Sequence, residues 1–359
     1  MKEIVLKTPS MQGRIRIGED VLTVLDELTQ GQKNFVLTDS NVYALYPSFF
    51  GKYFANARIF VLPAGEEHKS LESLNEILSE MVKAELHRTS RVFAVGGGVV
   101  GDIGGLVASL YMRGVSLVQI PTTLLSQIDS SVGGKTAIDH LGVKNVIGAF
   151  YQPMEVLIDP NFLKTLPKRE LKCGIGEIVK YAGLNSEIYR SILENQDQLV
   201  KMDSAYLTGI IELCVRHKAG VVERDERESG ERKSLNVGHT TGHAIELAFS
   251  LSHGESVLYG MALETAIAIE KGVCEKEYGA NLLKILLSAI AIPPKPAVDL
   301  SSVERWAKNA KSDKKNTDDG KIQMAVAKSE GEWTMLSCDF DDYCKSLKSA
   351  WKILENRVL

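Results

Sequence analysis

Cysteine is scarce in this chain of 359 residues, and none of it is paired in sequence: Cys173, Cys214, Cys274, Cys338 and Cys344 are scattered and form no Cys-x-x-Cys. That excludes a disulfide framework and a thiolate zinc site, and points to a reducing compartment. Positive charge is not in excess either. The formal net charge is −4, whereas a general nucleic-acid binder would be basic. No run of 18 apolar residues occurs, so no membrane-spanning helix is expected. The first residues, Met1 to Lys7, lack the apolar core of a secretory signal. Internal repeats and low-complexity stretches are missing too. These absences lead us to expect a cytoplasmic protein with no nucleic-acid and no membrane partner.

What is present is ordinary in bulk and unusual in detail. Hydrophobic content is 44% and charged content 25%, typical of a globular chain long enough for two domains. Short β-rich runs stand at 34–37, 58–62, 92–95, 115–120 and 155–158. Most end in a polar or glycine cluster. Between them, 70–84 has helical spacing, with Leu71, Leu74, Ile77, Leu78 and Met81 on one face. Strands alternating with helices predict a doubly wound α/β domain with a mostly parallel sheet, whose ligands bind at the carboxyl ends of the strands. Beyond residue 165 the pattern turns helical, over 171–182, 187–194, 205–222, 239–249 and 257–272. Runs at 322–327 and 333–336 suggest a late hairpin, and 313–320 reads as a charged loop. The expected organisation is an α/β N-terminal Rossmann-like domain over 1–165 and a mainly α-helical domain over 166–359.

Three of the seven histidines fall between Leu235 and Glu255. His239 and His243 are four apart and share a helix face; His253 follows at the next loop or helix start. Such a cluster points to a metal or proton-transfer site. Thr240 stands where a zinc protease would carry its general-base Glu, so that chemistry is excluded. The alternative is three structural histidines among Gly238, Gly242 and Gly254.

Other segments carry chemistry less specifically. Gly96-Gly97-Gly98-Val99-Val100-Gly101-Asp102 follows a strand and precedes an apolar helical stretch. Its glycines suit a pyrophosphate at a helix N-terminus, or simply a tight turn. Asp129 to Thr136 ends in Gly-Lys-Thr, but Asp129 occupies the place of the first P-loop glycine, so a P-loop NTPase is excluded. A lysine at a glycine turn remains, suited to phosphate or carboxylate. Glu177 and Lys180 are one turn apart, the spacing of an ordinary surface pair, although Gly174 and Gly176 beside them suggest a close approach. A charged run from Arg216 to Arg232 is in large part a solvated face.

Taken in order, these pieces resemble the 3-dehydroquinate synthase family. The resemblance runs from Asp39 to about Lys315. It rests on Gly65-Glu66-Glu67-His68-Lys69, the Gly96–Asp102 loop, Tyr111-Met112-Arg113-Gly114, Pro121-Thr122-Thr123-Leu124-Leu125, Asp129–Thr136, Lys144-Asn145, Gly176-Glu177-Ile178-Val179-Lys180, Arg216-His217-Lys218, Leu235–Glu246, His253-Gly254 and Asp313-Lys314-Lys315. Two positions depart from it. Val143 stands where many relatives have Gly, and Gly176 where many have Ala.

The resemblance implies an NAD-binding first domain, a metal-binding second domain and a homodimer. The implied substrate is a sugar phosphate, 3-deoxy-D-arabino-heptulosonate 7-phosphate, converted to 3-dehydroquinate and phosphate in the shikimate pathway. NAD is used catalytically, with Zn2+ or Co2+. The implied metal ligands are Glu177, His239 and His253, with His243 near the reacting centre. Arg113 and Lys135 would hold phosphate. Lys218, Arg232 and a lysine of the Lys314-Lys315 pair would hold carboxylate and hydroxyls, and Asn145 and Asn236 would also bind substrate. Glu228 is implied as a proton acceptor, and Asp129 and Lys180 as polar groups of the same pocket. The implied NAD contacts are Asp39, Asn41, Glu66, Lys69, Gly98, Val99, Val100, Gly101, Asp102, Thr122, Thr123, Lys135, Lys144, Phe162, Leu163, Lys164 and Thr165.

Three rivals compete with this expectation. One is another sugar phosphate cyclase, such as a 2-deoxy-scyllo-inosose synthase. The second is a polyol or glycerol dehydrogenase, which would release NADH and would not need so many cations. The third is a metal-stabilised binding protein without turnover. Asn236, with Arg232 and Glu228, favours the first-named family.

Overall fold

The structure is a computed structural model and describes residues 1–201, 203–249, 251–289, 302–311 and 321–356. It divides into two compact units. The first comprises Met1–Leu171 and Val215–Arg227; the second comprises Lys172–Cys214 and the described part of Glu228–Leu359. The division at 165/166 expected from sequence has no counterpart of the returning segment Val215–Arg227. Its place in the first unit follows from polar contacts. The Lys7 N–H donates to Glu223 Oε1 at 2.7 Å. Glu226 accepts from the Ser10 hydroxyl, and from Gln152 Nε2 at 2.9 Å.

The first unit is built on a seven-stranded sheet. Its strands are β1 (Lys2–Lys7), β2 (Gln12–Ile17), β3 (Asn34–Asp39), β4 (Arg58–Leu62), β5 (Arg91–Gly96), β6 (Ser116–Pro121) and, after a separate hairpin of β7 (Lys135–His140) and β8 (Val143–Phe150), β9 (Glu155–Ile158). The order is β1-β2-β9-β6-β5-β3-β4, parallel throughout except for β1 on β2. Apolar residues fill both faces, as a parallel sheet covered on two sides requires. Phe35, Leu37, Val92 and Ala94 pack into one core; Val36, Phe93 and Val95, one residue out of step, pack into the other. On the first side lies the helix Leu71–Lys83, started by Ser70, whose side chain accepts from the Ser73 N–H.

Four strands were not legible as strands. β1 buries only Leu6 among its alternating charges. β2 alternates Arg14 and Arg16 with Ile15 and Ile17. Its arginines reach the buried Glu155 of β9, at 2.8 Å from Arg14 and 3.7 Å from Arg16. β7 and β8 form an antiparallel hairpin where sequence suggested only a glycine turn.

The second unit is mainly helical. Its helices include Lys168–Ala182 (from Lys172 on), Ser186–Glu194, His239–Phe249, His253–Glu270, Lys276–Ala289, Ser302–Lys311 and Phe340–Asn356, with an antiparallel hairpin of β10 (Ile322–Ser329) and β11 (Glu332–Cys338). The charged loop expected at 313–320 lies outside the described residues. Among the described residues no helix is long and apolar enough to cross a membrane.

Candidate active site

Chain order along the sheet reverses at β3. The chain passes from β3 out to β4 and then returns to β5 on the other side of β3. Such a switch point opens a crevice at the carboxyl ends of the strands. Asp39 ends β3, and its Oδ1 accepts from the N–H groups of Asn41 and Val42 at 2.9 and 3.0 Å. Glu66 and Lys69 follow β4, Gly98–Asp102 follow β5, Thr122 and Thr123 follow β6, and Phe162–Thr165 follow β9. Every residue that the resemblance assigned to NAD, apart from Lys135 and Lys144 of the β7–β8 hairpin, thus lies at the carboxyl end of a sheet strand or in the segment that follows it.

The centre of this region is a buried cation. Lys69 is 5% exposed, and its Nζ lies 2.5 Å from both Asp102 Oδ2 and Asn145 Oδ1. Asn145, at φ +51°, is held by its own N–H on Asp139 Oδ1 at 2.7 Å. Burial raises the Asp102 carboxyl to about 6, against the opposing pull of Lys69. The helix Gly98–Leu110 begins beside this group at Gly97, and no side chain caps it. A Cβ on Gly97 would come within 3.0 Å of Thr123 Cγ2. A helix start with no side-chain cap presents backbone N–H groups of the kind that bind anions. Val100 turns its side chain into the core.

Three further cations that the resemblance assigned to substrate lie in the first unit: Arg113, Lys135 and Lys218. Arg113 is exposed at φ +67°, directly after Met112 at φ +52°; two successive left-handed non-glycine residues are costly. Lys135 is exposed and follows Gly133 and Gly134, both at positive φ. Asp129 sits in a π-helical turn, Ser126–Ser130. Lys218 Nζ lies 3.0 Å from its Oδ1 and donates to its carbonyl at 2.6 Å.

In the second unit, three donors from three helices converge. Glu177, His239 and His253 each offer one ligand atom, all within 4.8 Å of one another. His253 Nε2 lies 3.2 Å and His239 Nε2 3.6 Å from Glu177 Oε1. Glycines allow the approach. A Cβ on Gly176 would collide with the Gly254 carbonyl, and one on Gly254 with the Cys173 carbonyl. Gly238, at φ +78°, would place a Cβ 2.7 Å from the Val257 carbonyl oxygen. The departure at Gly176 is therefore one that this packing uses.

His239 Nδ1 lies 3.1 Å from the Val237 carbonyl, which leaves Nε2 for the cluster. Burial pushes the His239 imidazole well below its ordinary range, with Glu177 opposing. Burial would also lower His253, but Glu177 and Glu246 outweigh it and raise it to about 9. Lys180 Nζ lies 2.5 Å from Glu177 Oε2, and both side chains are buried. This is not the surface pair that i, i+3 spacing suggested. The His243 ring centroid is 5.3 Å from that of His239 and 5.8 Å from that of His253, on the exposed side. Elsewhere in the unit, Glu228 at φ +60° accepts from Asn236 Nδ2 at 2.7 Å, and Arg232 is 1% exposed. Lys314 and Lys315 lie outside the described residues.

One carboxylate and two imidazoles suit Zn2+ or Co2+ better than an ion that takes all-oxygen ligands, such as Mg2+. Two carboxylates beside this set were not singled out from sequence. Glu246 Oε2 lies 3.6 Å from His253 Nδ1; its i, i+3 spacing from His243 was the available signal. Glu264, 1% exposed, accepts from the N–H groups of Gly238 and Thr241, each at 2.8 Å. Nothing local in the sequence announces it.

A parallel α/β unit followed by a mainly helical unit defines a class of two-unit α/β-plus-helical proteins. Solved structures of this class align over nearly the whole chain. A 2-deoxy-scyllo-inosose synthase complexed with carbaglucose-6-phosphate, NAD+ and Co2+ matches with a TM-score of 0.81 at 23% identity, over 97% of this chain and 99% of that one. The 2-epi-5-epi-valiolone synthase ValA from Streptomyces hygroscopicus, with NAD+ and Zn2+ bound, gives 0.78 at 26% identity, over 99% and 98%. A probable glycerol dehydrogenase from Sinorhizobium meliloti is more distant, with a TM-score of 0.67 at 14% identity, over 96% and 98%.

Within this class, the chain belongs to the 3-dehydroquinate synthase family. Residues 59–173 match the 3-dehydroquinate synthase N-terminal model and 174–316 the C-terminal model. A 3-dehydroquinate synthase of Dehalococcoides mccartyi is 38% identical over 92% of this chain and 94% of its own length. One from Desulforamulus reducens is 43% identical over 76% and 77%.

Proposed function

We propose that this chain converts 3-deoxy-D-arabino-heptulosonate 7-phosphate to 3-dehydroquinate and inorganic phosphate, as a lyase of the shikimate pathway, with catalytic NAD and a divalent metal. The observation that carries the reading is the convergence of Glu177, His239 and His253 within 4.8 Å, in a chain of this family. When bound, NAD takes up and returns a hydride, and the metal acidifies the hydroxyl that is oxidised and polarises the resulting ketone.

The chain's own residues do the rest. Glu177, His239 and His253 hold the metal, and Glu246 orients His253 through Nδ1. The backbone from Gly98 to Asp102 takes the pyrophosphate at its helix start, with Asp39, Asn41, Glu66, Lys69, Thr122, Thr123, Lys135, Lys144 and Phe162–Thr165 as the other NAD contacts. Arg113 and Lys135 bind the phosphate that leaves. Lys218, Arg232 and a lysine of the Lys314-Lys315 pair hold carboxylate and hydroxyls, and Asn145 and Asn236 also bind substrate. His243 and Glu228 move protons, and Asp129 and Lys180 fix neighbouring cations and carboxylates in charge-balanced pairs. Oxidation of one carbon makes the adjacent C–H acidic, so phosphate leaves by elimination. Fixed cations around a flexible substrate supply orientation and charge stabilisation.

The reading includes a homodimer in the cytoplasm. Exposed apolar side chains on the β7–β8 hairpin, Leu141, Val143, Val146 and Phe150, support association. The cysteines, all buried and scattered along the chain, support a reducing compartment. The test is phosphate release from the proposed substrate with catalytic NAD and Zn2+, while NADH absorbance is followed. Release that needs both, with no NADH accumulating, upholds the reading. No release, with NADH accumulating on simple polyols, overturns it in favour of a dehydrogenase. Release only from a hexose phosphate points to the inosose-type cyclase.

A further inference from the structure

We infer that Glu264 is a positioning residue for the metal centre: it fixes the helix start that presents His239, from the same helix that carries His253. The inference rests on reading Glu177, His239 and His253 as metal ligands. Helix His239–Phe249 starts after Gly238, a glycine forced by its positive φ and by the Val257 carbonyl and Met261 at 2.7 and 2.8 Å from where a Cβ would stand. Gly238 therefore has no side chain with which to cap the helix. The usual reciprocal cap, a hydroxyl on the third N–H and a Glu returning to the first, cannot form. Glu264 replaces both halves. Its Oε2 accepts from the Gly238 N–H and its Oε1 from the Thr241 N–H, each at 2.8 Å.

These two bonds flank His239 on either side along the chain. They fix the backbone from which its imidazole projects, while the Val237 carbonyl, 3.1 Å from Nδ1, fixes the ring. Glu264 and His253 are both on helix His253–Glu270. One rigid element thus carries one ligand and clamps the segment bearing another. Beneath the clamp, the Thr241 hydroxyl and the buried Tyr343 hydroxyl lie 2.9 Å apart. That contact leaves the Thr241 N–H untouched, and so separates packing from positioning.

The test uses the full-length protein, stripped of metal and titrated with Zn2+ against a chromophoric chelator, with the Co2+ absorption spectrum as a second readout. Glu264→Gln keeps size and one acceptor but sets an amide NH2 against the second N–H. We expect Zn2+ affinity to fall about 10- to 100-fold, the range for groups that orient metal ligands, with an altered Co2+ spectrum and NAD+ affinity within about twofold of the parent. Glu264→Ala should weaken Zn2+ at least as much; if it does not fold, the Gln variant carries the test. Thr241→Val should leave Zn2+ affinity unchanged. His239→Ala guards the underlying reading: no loss of Zn2+ binding there removes His239 as a ligand. With His239→Ala impaired, Zn2+ affinity in Glu264→Gln within twofold of the parent would overturn the inference. So would an equal loss in Thr241→Val.

Discussion

In the first unit, Lys69 and Asp102 follow the carboxyl ends of the parallel strands β4 and β5, and the separate β7–β8 hairpin brings Asn145 onto Lys69. In the second, Glu177, His239 and His253 meet because helices pack on glycines, with backbone carbonyls where Cβ atoms would be. The strand-end site is separable from the core beneath it: its side chains can change while the sheet stays. The helical site is not separable, because the contacts that pack the helices also set the ligand geometry. Loss of function should therefore occur without loss of stability in the first unit, and the two should fall together in the second.

The largest expected effect lies at the donors themselves. His253→Ala should lose most of its bound metal, and turnover should fall by roughly three orders of magnitude. Metal analysis of the purified variant decides it, since full occupancy would remove His253 from the ligand set. Next, Lys135→Ala should lower turnover about 100- to 1,000-fold, the scale of one lost charge-stabilising group, while NAD+ still binds. Normal turnover would take Lys135 out of the site.

A glycine pair sharpens the contrast. Gly254→Ala pushes a Cβ into the Cys173 carbonyl and should cost about 1–3 kcal/mol, with weaker metal binding. At Gly98 a Cβ would find only Ser130 Oγ at 3.6 Å, so Gly98→Ala should leave the urea midpoint near that of the parent and weaken NAD+ binding alone. Equal destabilisation by both would erase the distinction drawn between the units.

The smallest effect is a titration. Asp102 should titrate near 6, held up by burial against Lys69. A carboxyl raised in the fold favours the folded state while protonated, and that contribution fades as pH rises from about 4, where the unfolded chain ionises, to about 6. Carbonyl NMR of labelled Asp reads it directly. A midpoint near 4 would mean that Asp102 is solvated.

How much was legible differs between the units for the same reason. Five strands of the first unit announced themselves as apolar runs, most of them ended by polar or glycine clusters. β2 did not, because its alternate arginines are neutralised by Glu155, far away in sequence. In the second unit His239 and His243 were visible as an i, i+4 pair, yet it is His253 and Glu177, from two other helices, that meet His239 at the cluster. Glu177 and Lys180 had the spacing of a surface pair; Gly174 and Gly176 suggested a close approach, and both side chains are buried.

The sequence by itself determined the alternation of strands and helices, the glycine turns, the histidine cluster and the family resemblance. The first three are properties of residues close together along the chain, where periods of 2 and 3.6 fix which side chains share a face; the resemblance rests on the order of such pieces. Tertiary structure alone decided that Val215–Arg227 joins the first unit, that Glu246 backs His253, and that Glu264 caps the helix of His239. Those outcomes depend on how separate elements register against one another. That register is set by close packing between surfaces remote in the chain, which no local period encodes.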